Sequence, residues 1–310
     1  MFRQVLAPVL CLSLAIGAGG CQEPASDPPP PESTASPETQ AIVFGDISSE
    51  PIETISEAQP CADYLAAHLG EFGIGRGEVK VAPDMETMAQ WLKTGEVDLY
   101  SDSPYPALIV SEESGAKPML RRWKDGIAQY HTVIFARGDR GLQSLDDLNG
   151  KTIAFEENFS TSAYLLPLGY LRRAGYQAVE IESADATIPP DRIGYIFTGD
   201  DENSIQWVIS GKVAAGAIDS ATFERIPEAT RAQLTILAET ETVPRHMILM
   251  TPQMDSQRQE AIAEILVKMD ENPEGKSILE GFDQTSQFDR LPGQDPLSPI
   301  RELYQQIQKP

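Results

Sequence analysis

The chain has 310 residues, with 47 acidic and 24 basic side chains and a formal net charge of −23 at pH 7. That surplus excludes a nucleic-acid partner, which needs a basic stripe to meet phosphates, and it opposes adhesion to anionic lipid headgroups. With 41% hydrophobic residues and only 24 Pro and 23 Gly, most of the chain reads as globular, and its length accommodates about two domains.

The first forty residues lie outside that fold. Arg3 precedes an apolar run from Val5 to Ile16, and Gly17, Ala18, Gly19 and Gly20 lead to Cys21. A basic start, a short apolar run and a small-residue cleavage site read as a secretory signal over residues 1–20. The run is too short and too glycine-rich to span a bilayer. Ala18-Gly19-Gly20-Cys21 resembles a bacterial lipobox. The resemblance implies that the Cys21 thiol is acylated and becomes the first residue of an exported, membrane-anchored lipoprotein, periplasmic or at the cell surface. Plain secretion is the alternative. Residues 22–40 carry six prolines and four acids, with no Lys or Arg. Such a segment cannot bury enough to order itself, and as an extended tether it reaches on the order of 60 Å. With Cys11 in the signal and Cys21 acylated, Cys61 stands alone and no intrachain disulfide is expected despite export. Its helical, apolar surroundings favour a buried position over a nucleophile.

From Ala41 strands and helices alternate. Ala41–Phe44 is a short apolar strand, and Pro60–Leu69 a helix with Pro60 in its first turn. Glu78–Ala82 is a strand. Asp84 caps a helix with Met85, Met88, Ala89 and Leu92 on one face, Gly95 ends it, and Val97–Tyr100 is the next strand. The chain then repeats itself: Gln90-Trp91-Leu92-Lys93-Thr94-Gly95-Glu96-Val97 is answered by Gln206-Trp207-Val208-Ile209-Ser210-Gly211-Lys212-Val213. Each copy is a helix end, a glycine stop and a strand. The pattern predicts an α/β chain of two lobes with parallel sheets. Ligands of such sheets sit beyond the carboxyl ends of the strands, so Ser101-Asp102-Ser103 and Asp219-Ser220 should face one cleft. Thr132–Ala136 and His246–Met250 are expected as two crossover strands, with residues 41–136 and 246–310 in lobe 1 and residues 137–245 in lobe 2. The tail adds helices around Ile262–Met269, 273–283 and 297–308.

Leu142 to Ala154, LQSLDDLNGKTIA, resembles the second-lobe entry of type II periplasmic binding proteins. Ser160-Thr161-Ser162-Ala163-Tyr164-Leu165-Leu166-Pro167 resembles the anion-binding turn of their phosphonate, phosphite and phosphate branch. Phe44-Gly45, Gly211-Lys212-Val213 and Ala217-Ile218-Asp219 are similar to the same family. The resemblance covers roughly residues 41 to 290. It implies a type II two-lobed fold and the substrate-binding lipoprotein of an ABC importer, a monomer that captures a small phosphorus oxyanion for an ABC permease.

Ser160, Thr161 and Ser162 follow a strand and open a helix, where hydroxyls and free amides make an anion cradle; a plain serine cap is the alternative. Pro167 disturbs the early turns of that helix. The resemblance implies further contacts, and several depart from the family. Its first-lobe tyrosine loop corresponds here to Asp102, with Ser103 beside it and Tyr105 a turn later. Its second-lobe histidine falls near Asp201, and its acidic residue before the return strand falls near His246, beside Arg245. A carboxylate facing an ionised oxyanion is repulsive. Asp102, Asp201 and Glu156 or Glu157 therefore need Arg245 and His246 as offsets, or a ligand with a positive group or several hydroxyls. Asp200, Asp201 and Glu202 can equally serve the start of the following helix. Trp91, Trp207, His68 and His131 read as structural. No H-E-x-x-H, Cys-x-x-Cys or phosphate-binding glycine loop is present, so no catalytic residue, metal ligand or cofactor is assigned. Two other classes share this pattern: a receptor for another polar ligand that signals to a membrane partner, and a bilobal enzyme acting on its trapped ligand.

Overall fold

The computed structural model describes residues 40–293 and 295–308. The signal, Cys21 and the tether fall outside the described residues. The chain opens with β1 (Gln40–Ile47), α1 (Pro51–His68), β2 (Ile74–Ala82), α2 (Met85–Thr94), β3 (Leu99–Asp102), α3 (Pro104–Ser114) and β4 (Lys117–Arg122). A short β5 (Gln129–Tyr130) leads to β6 (Thr132–Arg137) and β7 (Thr152–Phe155), then to a π-turn at Thr161–Leu165 that runs into α4 (Leu166–Arg173). Next come β8 (Gln177–Glu180), β9 (Arg192–Phe197), α5 (Asp201–Ser210), β10 (Ala215–Asp219), α6 (Ser220–Arg225), α7 (Glu228–Arg231) and β11 (Leu234–Glu239). The chain returns through β12 (Val243–Pro244) and β13 (His246–Met250), and finishes with α8 (Ser256–Val267), α9 (Pro273–Gly281), β14 (Phe288–Arg290) and α10 (Ser298–Gln308).

Two six-stranded sheets result, in the orders β14-β4-β13-β3-β1-β2 and β11-β6-β10-β7-β9-β8. Each has a parallel part flanked by antiparallel strands: β2-β1-β3 beside β13 and β4, and β8-β9-β7-β10 beside β6 and β11. This is the two-lobed α/β architecture that the alternation and the repeat imply.

The repeat is structural down to its hydrogen bonds. Asp84 accepts from the Thr87 amide at 2.8 Å and Asp200 from the Asn203 amide at 2.5 Å, capping α2 and α5. Gly95 and Gly211 end those helices at φ 79° and 74°, a left-handed conformation that glycine adopts without a Cβ clash. The next amides, of Glu96 and Lys212, each donate to the tryptophan carbonyl at 2.9 Å. Each half-buried Trp carries a lysine over its ring, Lys80 on Trp91 and Lys212 on Trp207.

Three local expectations differ from the structure. α1 begins at Pro51, so Pro60 lies inside the helix and Pro51 takes the first-turn position. Thr132–Arg137 is not a crossover of the first lobe: it pairs antiparallel with β10 and β11 in the second sheet. The crossing is made by β5 and β12, two residues each, which pair with one another. An apolar strand suits either side of a hinge, so its composition alone does not place it. The last helix also bridges both lobes instead of belonging to the first. Arg301 donates to Glu112 of α3 at 2.7 Å, while Leu303 lies where a Cβ on Gly169 of α4 would be. One apolar core accordingly runs from Tyr100, Leu108 and Met247 through Ile300 and Leu303 to Phe155, Leu165 and Leu168.

Helix α1 lies very close to β2. A Cβ at Gly77 would stand 2.3 Å from the Ala62 carbonyl carbon, whereas one at Gly281 meets nothing within 4 Å. In urea denaturation Gly77→Ala should therefore cost about 1–3 kcal/mol, the usual penalty of overpacking. Gly281→Ala should stay within about 0.5 kcal/mol of the parent.

Candidate ligand-binding cleft

The carboxyl ends of the parallel strands from both sheets meet at one cavity of about 420 Å³. The first lobe contributes Asp46 after β1, Ser101–Ser103 at the end of β3, Lys124 and Asp125 after β4, and Asp283 after α9. The second contributes Glu156 after β7, Ser160–Ser162, Asp200–Glu202 at the start of α5, and Asp219, Thr222 and Arg225 around α6. Tyr130, Arg245 and His246 line it at the crossing.

Of the residues singled out in the sequence, Ser160, Thr161, Ser162, Asp102, Ser103, Asp201, Arg245 and His246 all line this cavity. Tyr105 does not. It is buried in an aromatic cluster, 5.5 Å from Tyr304 and 6.4 Å from Tyr164 between ring centres. The helix turn that separates it from Asp102 carries its side chain into the core. Its backbone still matters, because the Tyr105 amide donates to Thr161 Oγ1 at 2.8 Å.

Thr161 is only 1% exposed, and its hydroxyl donates onward to Ser103 Oγ at 2.9 Å. It therefore joins the second lobe to the start of α3 in the first, and its hydroxyl is occupied. Ser160 caps the π-turn by accepting from the Ala163 amide at 3.0 Å. The wide turn suits Pro167, which has no N–H to give: Leu165 and Leu166 donate instead to the Ser160 and Thr161 carbonyls. The amides of Thr161 and Ser162 have no partner within this helical segment, and both residues line the cavity.

Nine carboxyl groups line the cavity against Lys124, Arg225 and Arg245. Most are engaged by the protein itself. Asp219 caps α6 through the Ala221 and Thr222 amides, at 2.8 and 3.1 Å, and Asp200 caps α5. Asp125, at φ 56°, pairs with Arg245 at 2.8 Å and Arg225 at 3.4 Å. Asp283 pairs with the buried Arg122 at 2.6 Å and with Lys124 at 3.3 Å. Asp102 accepts from the Tyr100 hydroxyl and the Ser103 amide, both at 2.6 Å. Glu202 is exposed to solvent.

Asp46, Glu156 and Asp201 have no cationic partner within ion-pair distance among the described residues. Burial, reinforced by the Asp102 charge and only partly offset by Arg122, pushes the Asp46 carboxyl up to about 7. Burial likewise raises Glu156, whose Ser160 hydrogen bond opposes the shift. Burial and the facing Glu156 and Asp219 charges raise Asp201 well above the carboxylate range. Asp283 goes the other way: burial would raise it, but Arg122 and Lys124 outweigh that and hold it at about 2. His246 is kept neutral by burial and by the Lys124, Arg245 and Arg122 charges. Acids that hold their protons near neutrality donate hydrogen bonds instead of repelling an anion.

Asp46, Lys124, Asp125, Tyr130, Thr222, Arg225 and Asp283 escaped the sequence reading. Only Asp46, two residues after Phe44-Gly45 on the first strand, carried a positional signal. The others sit on loops, short turns, a two-residue strand and the six-residue helix α6, without a pattern. Among the described residues no group of three or more His, Cys, Asp or Glu could hold a metal ion.

The model of the periplasmic substrate-binding protein of phosphonate ABC transporters matches residues 44–295. The chain belongs to that family. The phosphate-import protein PhnD of Mycolicibacterium smegmatis is 27% identical over 175 residues, which cover 55% of this chain and 53% of that protein. The match thus spans about half the length of that curated relative. Among solved structures, XAC2383 from Xanthomonas citri bound to chloride has a TM-score of 0.79 at 29% identity, covering 86% of this chain and 97% of that one. PhnD1 from Prochlorococcus marinus in complex with methylphosphonate has a TM-score of 0.64 at 17% identity, covering 87% and 98%, and shares the fold. In this family member, the two-lobed plan sets Ser160–Ser162 after β7 opposite the first-lobe strand ends at one cavity.

The raised Asp46 carboxyl has a measurable consequence. A carboxyl whose folded value exceeds its unfolded one contributes stability that is present below the unfolded value and is lost as pH rises through the folded one. The stability of the parent relative to Asp46→Asn should therefore decline between about pH 4 and pH 7, and level off above pH 7. Parallel urea titrations of the two proteins across that range check this.

Proposed function

We propose that the protein captures a small phosphorus oxyanion, of the phosphonate, phosphite or phosphate type, between its lobes and presents it to an ABC permease. Residues 1–20 direct export, Cys21 carries a lipid anchor, and the proline-rich segment to residue 40 tethers a monomeric receptor to the membrane. The single observation that carries the ligand class is the cradle at Ser160–Ser162. It sets hydroxyls and unpaired amides of a helical start on the wall of a cavity whose acids are capped, ion-paired, solvated or raised above their ordinary range. XAC2383, which shares this fold, is bound to chloride in one solved structure and to ATP in another, and both anions support the ligand class.

Asp102 and Ser103 meet the ligand from the first lobe, Ser160 and Ser162 from the second, and Arg245 and His246 at the crossing. Thr161 contributes its amide while its hydroxyl ties the lobes together. The crossing at β5 and β12 is the hinge about which lobe 1 and lobe 2 close. The receptor binds and releases its ligand unchanged, and needs no cofactor.

Calorimetric titration of the mature chain with methylphosphonate, phosphite and phosphate tests this reading. One site per chain is expected for at least one of them. Replacing Ser160 and Ser162 together by Ala should weaken that binding at least tenfold, since a hydrogen bond to a charged group contributes about 1.5–3 kcal/mol. Unchanged affinity would remove the cradle from the site. Binding of a cationic ligand with none of the oxyanions would overturn the ligand class.

A further inference from the structure

The turn ahead of the hinge has a strained backbone and carries an ion pair that crosses between the lobes. Asp125 sits at φ 56° and Gly126 follows at 72°. Asp283, at φ 48°, lies against them, and the Asp125 amide donates to its carbonyl at 3.3 Å. A left-handed backbone is costly for a residue with a side chain, and such residues gather at ligand clamps and switch regions.

The Asp125 carboxylate, 15% exposed, accepts from Arg245 at 2.8 Å and pairs with Arg225 at 3.4 Å. The two arms differ. Arg245 lies between β12 and β13, and its amide donates at 2.9 Å to the carbonyl of Ala128, the residue before β5. That arm stays on the hinge whatever the angle of the lobes. Arg225 ends α6 in the second lobe. Its guanidinium also donates to Thr222 Oγ1 at 2.8 Å, and the Thr222 hydroxyl donates to the helix-capping Asp219 at 2.6 Å. The arm is thus aimed from the start of its own helix, and it reaches Asp125 only while the lobes stand together. Among the described residues no other ion pair joins cleft residues of different lobes.

We propose that Asp125 and Arg225 form a catch beside the hinge, which holds the lobes closed and sets how long the ligand stays. A contact made in one state alone shifts the equilibrium toward that state. The strained turn fixes the carboxylate where Arg225 meets it. Both are positioning residues, outside the set assigned to the ligand. The effect on residence time rests on the reading of the cleft as an oxyanion site; the catch itself does not. The sign is distinctive. By charge alone, removing a carboxylate beside an anion site strengthens anion binding, whereas loss of the catch weakens it.

Two readouts on the mature chain test this. The first needs no ligand. The Tyr105 amide, in the first turn of α3, donates across the cleft to Thr161 Oγ1, so its hydrogen exchange reports the parting of the lobes. Asp125→Asn and Arg225→Gln should each speed that exchange about threefold or more, and Arg225→Lys should stay within about twofold of the parent, as the strength of partly exposed ion pairs implies. The amides of β13 should exchange as in the parent in all three variants. Asn accepts a left-handed backbone, and melting temperatures check that each variant folds. The second readout is the dissociation rate of whichever of methylphosphonate, phosphite and phosphate binds most tightly, followed by stopped-flow chase. Either single variant should release it about threefold faster or more, and the double variant no faster than Asp125→Asn. Unchanged Tyr105 exchange would overturn the catch. So would tighter binding in Asp125→Asn, or a further loss when Arg225→Gln is added to it, which would make Arg225 a direct ligand contact. If none of the three oxyanions binds, the ligand reading falls and the exchange rates still decide the catch.

Discussion

Nine carboxyl groups around one cavity are the constraint on which the rest of the site depends. Left ionised and unpaired, they would repel any anion brought between the lobes. The structure assigns them different fates. Asp200 and Asp219 are turned toward backbone amides as helix caps. Asp125 and Asp283 are held in ion pairs that also fix the turns around them. Asp102 accepts from a phenol and an amide. Asp46, Glu156 and Asp201, which cap no helix and have no cationic partner among the described residues, are driven by burial toward the protonated form. The surface lining the cleft is thus much less negative than its composition suggests, and the large net charge of the chain does not conflict with an anion cradle.

The same groups connect the two lobes. Arg225 of the second lobe reaches Asp125 of the first, and Asp125 is also held by Arg245 at the crossing. Thr161 links the start of α3 to the π-turn through both its donor and its acceptor capacity. Helix α10 ties α3 to α4 by an apolar stripe of Ile300, Leu303 and Ile307. The lobes therefore meet through a short hinge, a polar contact at the cleft floor and an apolar brace. Any closing motion must keep or break the Thr161 contact as a unit, because one hydroxyl serves both partners.

Much of the architecture was legible because it rests on local periodic signals. The Asp84 cap, the Gly95 and Gly211 stops and the duplicated Gln-Trp stretch predict two α/β lobes, and both copies make the same bonds. The lobe boundary was not legible, since β5 and β12 are two residues long and have no period to read. The cavity-lining helical start at Ser160–Ser162 was legible because three consecutive hydroxyl residues open it. Tyr105 was misplaced because spacing from Asp102 does not say which way a helix turns its side chain. The loop residues Lys124, Asp125 and Asp283 come together only through tertiary contacts across most of the chain, so no window of sequence joins them.

The central claim is that the unpaired cleft acids carry protons and accommodate an anion. Proton exchange on binding tests it most directly. Methylphosphonate titrations near pH 7, in buffers of different ionisation enthalpy and with the ligand's own titration subtracted, give the number of protons taken up. An incoming anion should raise the Asp46 carboxyl, already pushed up to about 7, further, so the account predicts net proton uptake that is smaller in Asp46→Asn. Net proton release would contradict it, because it would mean that the cleft carboxyls ionise as the ligand enters, as they would around a cation.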